Sequence, residues 1–314
     1  MESVGTPYGF CRDSRADSGH GVRAGCGGVT AAECGSMSDP IRKGREAMDR
    51  ARQSEGQGGA AAPVPAQPAA RRPIHVETLR DDDRLRIWRH PGQGRRLVVA
   101  FSGVGTDRSK PPPLELARVA TGPAGDPALF FADPARSWLN APGLIEEVAG
   151  LVQAEAARLG VDEVVAVGHS MGGFSALALG GHVRLSRVLA LSPQFSVDPS
   201  VVPDEPRWPM FRKHIAEYRI RRADEQMQPG TQYYVIFGKH RREAPQLRLV
   251  PKAANVALFM LPDVRHDSVK RLAQQGVLEE VIQLAFGGRT RKLRILLREQ
   301  MRGYQVSPEG REAA

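Results

Sequence analysis

Along the chain, blocks of consecutive apolar residues alternate with stretches in which apolar positions return every three or four residues. "RLVVAFSG" (96–103) places five apolar residues together before turn residues, the pattern of a strand buried on both faces. "ALFFAD" (128–133), "EVVAVG" (163–168), "RVLALSP" (187–193), "QYYVIFG" (232–238) and "ANVALFML" (254–261) repeat that pattern. Between them, "GLIEEVAGLVQAEAARLG" (143–160) sets Leu144, Ile145, Val148, Leu151, Val152 and Leu159 on one helical face, with Gly160 as its stop. "MGGFSALALGG" (171–181) reads as a helix of small residues and "DSVKRLAQQGVLEEVIQLAF" (267–286) as a final amphipathic helix. "IHVETLRDDDRLRIWRH" (74–90) has the look of an antiparallel edge hairpin. Strands apolar on both faces and alternating with helices predict an α/β fold, a mostly parallel sheet covered by helices on both sides.

The texture outside this region differs. Residues 1–72 hold few large apolar side chains and include "GQGGAAAPVPAQPAA" (56–70), which cannot bury enough surface to offset its ordering entropy. They are expected to form a disordered low-complexity arm, with a short helix near "DPIRKGREAMDRARQ" and with Met37 as an alternative start. The folded domain is expected over 73–288. Within it, residues 194–230 interrupt the strand–helix rhythm with prolines and a charged, helix-like segment carrying Trp208, Phe211 and Tyr218. This insertion reads as a short cap, either walling a pocket with aromatics beside Arg212, Lys213 and Arg219 or tucking those aromatics onto the core. Residues 289–314 begin with "RTRKLRILLREQMRGY", whose Leu293, Leu296, Leu297 and Met301 share one face opposite arginines. That is a basic amphipathic helix, suited to docking on the body or to weak contact with an acidic membrane surface.

The formal charge of +9 narrows the partners. Lys and Arg outnumber Asp and Glu by 27 to 24 over residues 73–288 but by 7 to 3 over 289–314. A nearly neutral body argues against nucleic acid as the partner. Cys11, Cys26 and Cys34 are odd in number, lie in the arm and lack metal-site spacing, which fits a reducing compartment with neither a disulfide framework nor a zinc site. The N-terminus lacks the apolar stretch of a signal peptide, so the expected location is cytoplasmic.

The chemistry centres on "GHSMGG" (168–173), which follows the apolar run 163–167 directly. A strand turning at once into a helix through G-x-S-x-G forces the serine into a strained conformation and leaves no room for side chains at Gly168 and Gly172. It also lifts the Ser170 hydroxyl to a helix N-terminus, where free N–H groups favour developing negative charge. Ser170 is therefore the candidate nucleophile, against the alternative of a tight turn with an incidental serine.

With this motif and this order of elements, residues 74–286 resemble the α/β-hydrolase superfamily. The resemblance implies a triad in chain order Ser, Asp or Glu, His, and no metal or organic cofactor. The base it implies is His266, in "LFMLPDVRHDSVKRL" (258–272) between the last strand and the following helix; His240 is the rival. His169 is expected to point away from the nucleophile. The acid departs from the family pattern. In "GKHRREAP" (238–245) Arg241 stands where an Asp is usual, and Glu243 is the first carboxylate. Asp198 in "SPQFSVDP" (192–199) is the alternative, while Asp263 reads as a turn former. The oxyanion hole would take the N–H of Met171 and a second donor from Val104 or Gly103.

The expected activity is hydrolysis of a carboxylic ester or thioester, of small-molecule, glycan or lipid type, through an acyl-enzyme on Ser170. An acyltransferase on the same residues and a non-catalytic scaffold are the alternatives. Oligomeric state is not readable.

Overall fold

The computed structural model describes residues 74–307. The arm over 1–72, its cysteines, Met37 and the tail past 307 lie outside the described residues.

Among the described residues, nine strands form one sheet: β1 (Glu77–Asp81), β2 (Arg86–His90), β3 (Arg96–Phe101), β4 (Ala128–Ala132), β5 (Glu163–His169), β6 (Arg187–Leu191), β7 (Gln232–Gly238), β8 (Val256–Leu261) and β9 (Tyr304–Val306). Their order is β1-β2-β4-β3-β5-β6-β7-β8-β9. β3 through β8 run parallel, whereas β1 and β2 at one edge and β9 at the other are antiparallel to their neighbours. The hairpin joins the sheet through β4, with Ile87 opposite Phe131. β9 was not expected from the sequence. Three residues are too short for a periodic signal, and the strand exists because β8 offers it an open edge, with Met260 opposite Tyr304.

Alternation along β3 explains why the central strands are apolar throughout. Leu97, Val99 and Phe101 face one core, and Val98 and Ala100 face the other. The first core is closed by α2 (Leu144–Leu159) and α3 (Met171–Ala178), through Leu144, Val148, Val152, Phe174 and Leu177. The second is closed by α7 (Leu278–Phe286) and α8 (Thr290–Met301), through Val281, Ile282, Phe286, Leu293 and Leu297. Fully burying one such side chain stabilises the fold by about 1.5–3 kcal/mol. The short helices are α1 (Ala117–Thr121), α4 (Pro209–Arg212), α5 (Ala244–Leu247) and α6 (Ser268–Gln274).

Three local expectations are corrected, and α8 takes the first of its two readings. Leu151 is exposed, because the buried seam of α2 runs through 144, 148 and 152 and leaves 151 at its margin. The segment 267–286 is two helices, α6 and α7, broken where Gly276 takes φ 77°. The charged stretch of the cap forms only the single turn α4 and a 3₁₀ turn at Ala223–Gln226. The apolar face of α8 packs on the body: Leu293 and Leu297 are fully buried, and Leu296 and Met301 lie against the same cluster. That face is not free to enter a membrane surface. Among the described residues, no helix is long and apolar enough to cross a membrane.

Candidate active site

β5 passes into α3 through one residue, Ser170, held at φ 57° and ψ −118°. The glycines around it are required by backbone contact. A Cβ on Gly168 would stand 2.1 Å from the carbonyl carbon of Gly172, and one on Gly172 would stand 2.2 Å from the carbonyl oxygen of Phe101. The Ser170 N–H donates to Leu191 O at 2.9 Å, which ties the turn to the end of β6. Neighbouring strands thus hold a conformation that an isolated serine would avoid.

His266 lies in the loop between β8 and α6, and its Nε2 is 2.8 Å from Ser170 Oγ. Its Nδ1 is 3.0 Å from Glu243 Oε1. Glu243 ends a 3₁₀ turn just past β7 and is 1% exposed. Gly238 permits the approach of the two loops, since a Cβ there would stand 2.1 Å from Arg265 O. The order from hydroxyl to imidazole to carboxylate runs unbroken through the three residues.

A further group, absent from the sequence reading, completes this end of the site. Arg207 Nη1 donates to both oxygens of Glu243 at 3.1 and 3.0 Å. Its Nε and Nη2 sit 2.7 Å from the two oxygens of Glu205. Gln246 Nε2 in turn donates to Glu205 at 2.6 Å. Burial pushes the Glu243 carboxyl up, but the His266 hydrogen bond and charge and the Arg207 charge outweigh it and hold its pKa below the usual range. Burial likewise lowers the Arg207 pKa, and Glu205 and Glu243 more than reverse that. Arg207 Nη1 is also 2.6 Å from His266 Nδ1. A protonated Nδ1 donates to Glu243; a bare one accepts from Arg207 and leaves the ring proton on Nε2, facing Ser170. The tautomer therefore decides which neighbour the imidazole binds.

His169 does not turn away from this group. Its Nε2 donates to the backbone carbonyl of His266 at 2.8 Å, and the two rings lie 5.2 Å apart. Desolvation first, and then the like charge of His266, push its pKa down to about 4, so it is a neutral donor at pH 7. Gln194, wholly buried, brings Oε1 to 3.4 Å from Ser170 Oγ and 3.3 Å from Trp138 Nε1.

Two other expectations change. Asp198 is not brought to His266: its carboxylate accepts from the Ser200 N–H and hydroxyl and pairs with Arg221 at 2.8 Å. The Gly103 N–H is already taken by Glu115 Oε2 at 3.0 Å. Met171 stands at the first position of α3, where its N–H lies outside the helical ladder. Val104 is buried in the same core, its carbonyl accepting from Arg136 Nε at 2.9 Å, and with the Gly103 N–H taken Val104 remains the candidate second donor.

A cavity of about 880 Å³ opens over this group, lined by His169, Trp208, Glu243 and His266 among others. Ser170 itself is only 3% exposed. Of the cap aromatics, Trp208 lines the cavity, while Phe211 and Tyr218 pack on the core. Of the expected basic neighbours, Arg212 is buried against the carbonyls of Val197 and Glu205, Arg219 pairs with Glu217, and Lys213 is exposed and does not line the cavity. His240 lines the cavity but makes no contact with Ser170; its Nδ1 accepts from the Arg242 N–H. Among the described residues, no cluster of His, Cys, Asp or Glu is placed to hold a metal ion.

The sheet order, the antiparallel second strand and the strained Ser170 turn together make this an α/β-hydrolase fold. Solved structures similar to this chain include a lipase/esterase from Lactobacillus plantarum, 12% identical with a TM-score of 0.45, the match covering 65% of this chain and 98% of that one. An esterase from Pyrobaculum calidifontis is 16% identical with a TM-score of 0.47, covering 69% and 87%. A capsule O-acetyltransferase of Neisseria meningitidis serogroup A is 12% identical with a TM-score of 0.44, covering 68% and 97%. No family model and no curated protein sequence matches the chain.

Proposed function

We propose that the chain is a serine hydrolase acting on carboxylic esters or thioesters. Its nucleophile is Ser170, its base His266 and its acid Glu243. The observation that supports this reading is the pair of contacts of 2.8 Å from Ser170 Oγ to His266 Nε2 and 3.0 Å from His266 Nδ1 to Glu243, behind a serine at φ 57°.

The hydroxyl of serine is a weak nucleophile until a base takes its proton. His266 Nε2 accepts that proton as Oγ bonds to the ester carbonyl carbon. The carbonyl electron pair moves onto oxygen, which meets the N–H groups of Met171 and Val104. Collapse of this intermediate breaks the bond to the leaving group, which departs with the proton from Nε2. Water then repeats the sequence on the acyl-enzyme, freeing the acid and restoring Ser170. Glu243, kept ionised by Arg207, holds the proton on Nδ1 and stabilises the imidazolium in both halves.

A fluorophosphonate probe tests the nucleophile. Wild type is expected to label at Ser170 and to turn over short nitrophenyl esters, and Ser170→Ala is expected to lose the label and about 10⁶-fold in kcat. Equal labelling of the two proteins would overturn the assignment. Product analysis with added alcohols separates water from another acyl acceptor.

A further inference from the structure

The lining of the cavity has a marked charge imbalance. Five arginines (Arg108, Arg207, Arg241, Arg242 and Arg265) face it against two carboxylates, Glu243 and Asp267. Arg207 is spent on Glu205 and Glu243. The other four are exposed, and none of them has a carboxylate partner among the described residues. Asp267 forms no ion pair with them; its Oδ1 accepts from the backbone N–H of Arg265 at 3.2 Å, and its single charge leaves the four arginines in excess.

These arginines come from three separate loops at the same edge of the sheet. Arg108 follows β3, Arg241 and Arg242 follow β7, and Arg265 follows β8 in the position before His266. Arg108 is set over the Trp208 ring at 5.3 Å, which orders its guanidinium without neutralising it. Two buried donors in the same region also lack an acceptor. One is Nε2 of Gln194, whose other amide atom lies at Ser170 Oγ, and the other is the indole N–H of Trp208 in the cavity wall. Buried donors are ordinarily satisfied, so the Trp208 N–H in the cavity wall suits a ligand rich in acceptors.

We propose that this site takes an anionic ester: a substrate whose acyl or alcohol portion carries a phosphate or carboxylate group that the Arg241, Arg242, Arg265 and Arg108 guanidinia bind while the scissile carbonyl lies at Ser170. The inference rests on the hydrolase reading of Ser170 and narrows its substrate class. Guanidinium groups match both oxyanions through paired N–H donors, and four of them around one opening add their fields. A neutral ester of the same size leaves four like charges unrelieved at one opening.

The test compares matched probes on the full chain. Nitrophenyl hemisuccinate and nitrophenyl butyrate have acyl chains of equal length, one ending in a carboxylate. Glycerol phosphate and glycerol, titrated calorimetrically, form the phosphate arm. The hemisuccinate is expected to exceed the butyrate in kcat/KM by about tenfold, and the advantage to shrink as salt screens the site. Glycerol phosphate is expected to bind saturably and glycerol not to. The triple variant Arg241→Gln, Arg242→Gln, Arg265→Gln, changed only at exposed positions, is expected to lose most of the anion preference in both arms. Whichever arm responds identifies the group. Equal turnover of the two esters together with no binding of glycerol phosphate overturns the proposal while a labelled Ser170 leaves the hydrolase reading intact. Saturable glycerol phosphate binding with no label at Ser170 has the opposite meaning: the anion site stands and the hydrolase reading falls.

Discussion

The two ends of the site are built by different physics. At the serine end, residues 163–178 carry the turn against the neighbouring strands, and the contacts that define it are backbone against backbone: Gly168 on Gly172, and Gly172 on Phe101 of β3. At the acid end, Glu205, Arg207, Glu243 and His266 arrive from three segments far apart in the chain, and charge holds them together. The first end is a steric arrangement that is either right or broken. The second is an alternation of carboxylate, guanidinium, carboxylate and imidazole in a buried setting, where each charge depends on its neighbour. A steric device depends on shape and a charge network on ionisation, so the two should fail in different ways.

Among changes that leave Ser170 in place, the largest effect is expected at the acid end. Glu243→Gln keeps the volume but removes the charge that holds the proton on His266 Nδ1 and turns one acceptor oxygen into an N–H donor. Arg207, 2.6 Å from that nitrogen, then becomes its partner and fixes the ring proton on Nε2, so His266 can no longer accept from Ser170. The expected loss is about 10⁴-fold in kcat, with a lesser change in KM. Steady-state kinetics on a nitrophenyl ester checks it, and a loss of under about tenfold would remove Glu243 from the proposed mechanism.

Breaking the steric end should cost stability before it costs chemistry. Gly172→Ala puts a methyl group 2.2 Å from Phe101 O, where only a shift of β3 or α3 can relieve the overlap. At least about 4 kcal/mol of stability is expected to be lost, or about 10 °C in Tm. Calorimetry checks this; an unchanged melting temperature would mean that strand and helix are not in contact as described.

The same contrast explains which features were legible in the sequence. "EVVAVGHSMGG" carries the strand, the tight turn and the small-residue helix within eleven consecutive positions, so local pattern suffices for Ser170. His266 and Glu243 are readable only as positions after particular strands, which is why Asp198 competed with Glu243 until Asp198 was seen engaged with Ser200 and Arg221. Arg207 and Glu205 had no signal at all. They lie among prolines in the cap, where spacing carries no periodicity, and an E-P-R run is indistinguishable from a solvated turn. The buried Glu243 one strand away gives them their meaning. β9 and the break at Gly276 escaped for a related reason, since an open strand edge and a left-handed glycine are set by context.

The smallest effect probes the contact between the two ends, where His169 of the elbow donates to the His266 carbonyl at 2.8 Å. Its pKa is down to about 4 in the fold against an ordinary 6.5, so between these values the unfolded chain binds the extra proton and the native state does not. Stability therefore rises with pH across that window and is lost as pH falls from about 6.5 toward 4, by about 3 kcal/mol at full extent. His169→Gln keeps an N–H donor for the carbonyl but cannot take up a proton. Other groups titrate nearby with both signs. Glu243, its pKa lowered, withdraws stability as pH falls, whereas Glu115, its pKa raised by burial, does the reverse. The informative quantity is thus the difference between the two proteins, in which those shared contributions cancel. Denaturant melts at intervals from pH 4 to 7 should give the shallower slope for His169→Gln. Parallel slopes would mean that the ring is as well solvated in the fold as in the unfolded chain, and that the two ends of the site are joined by less than this hydrogen bond.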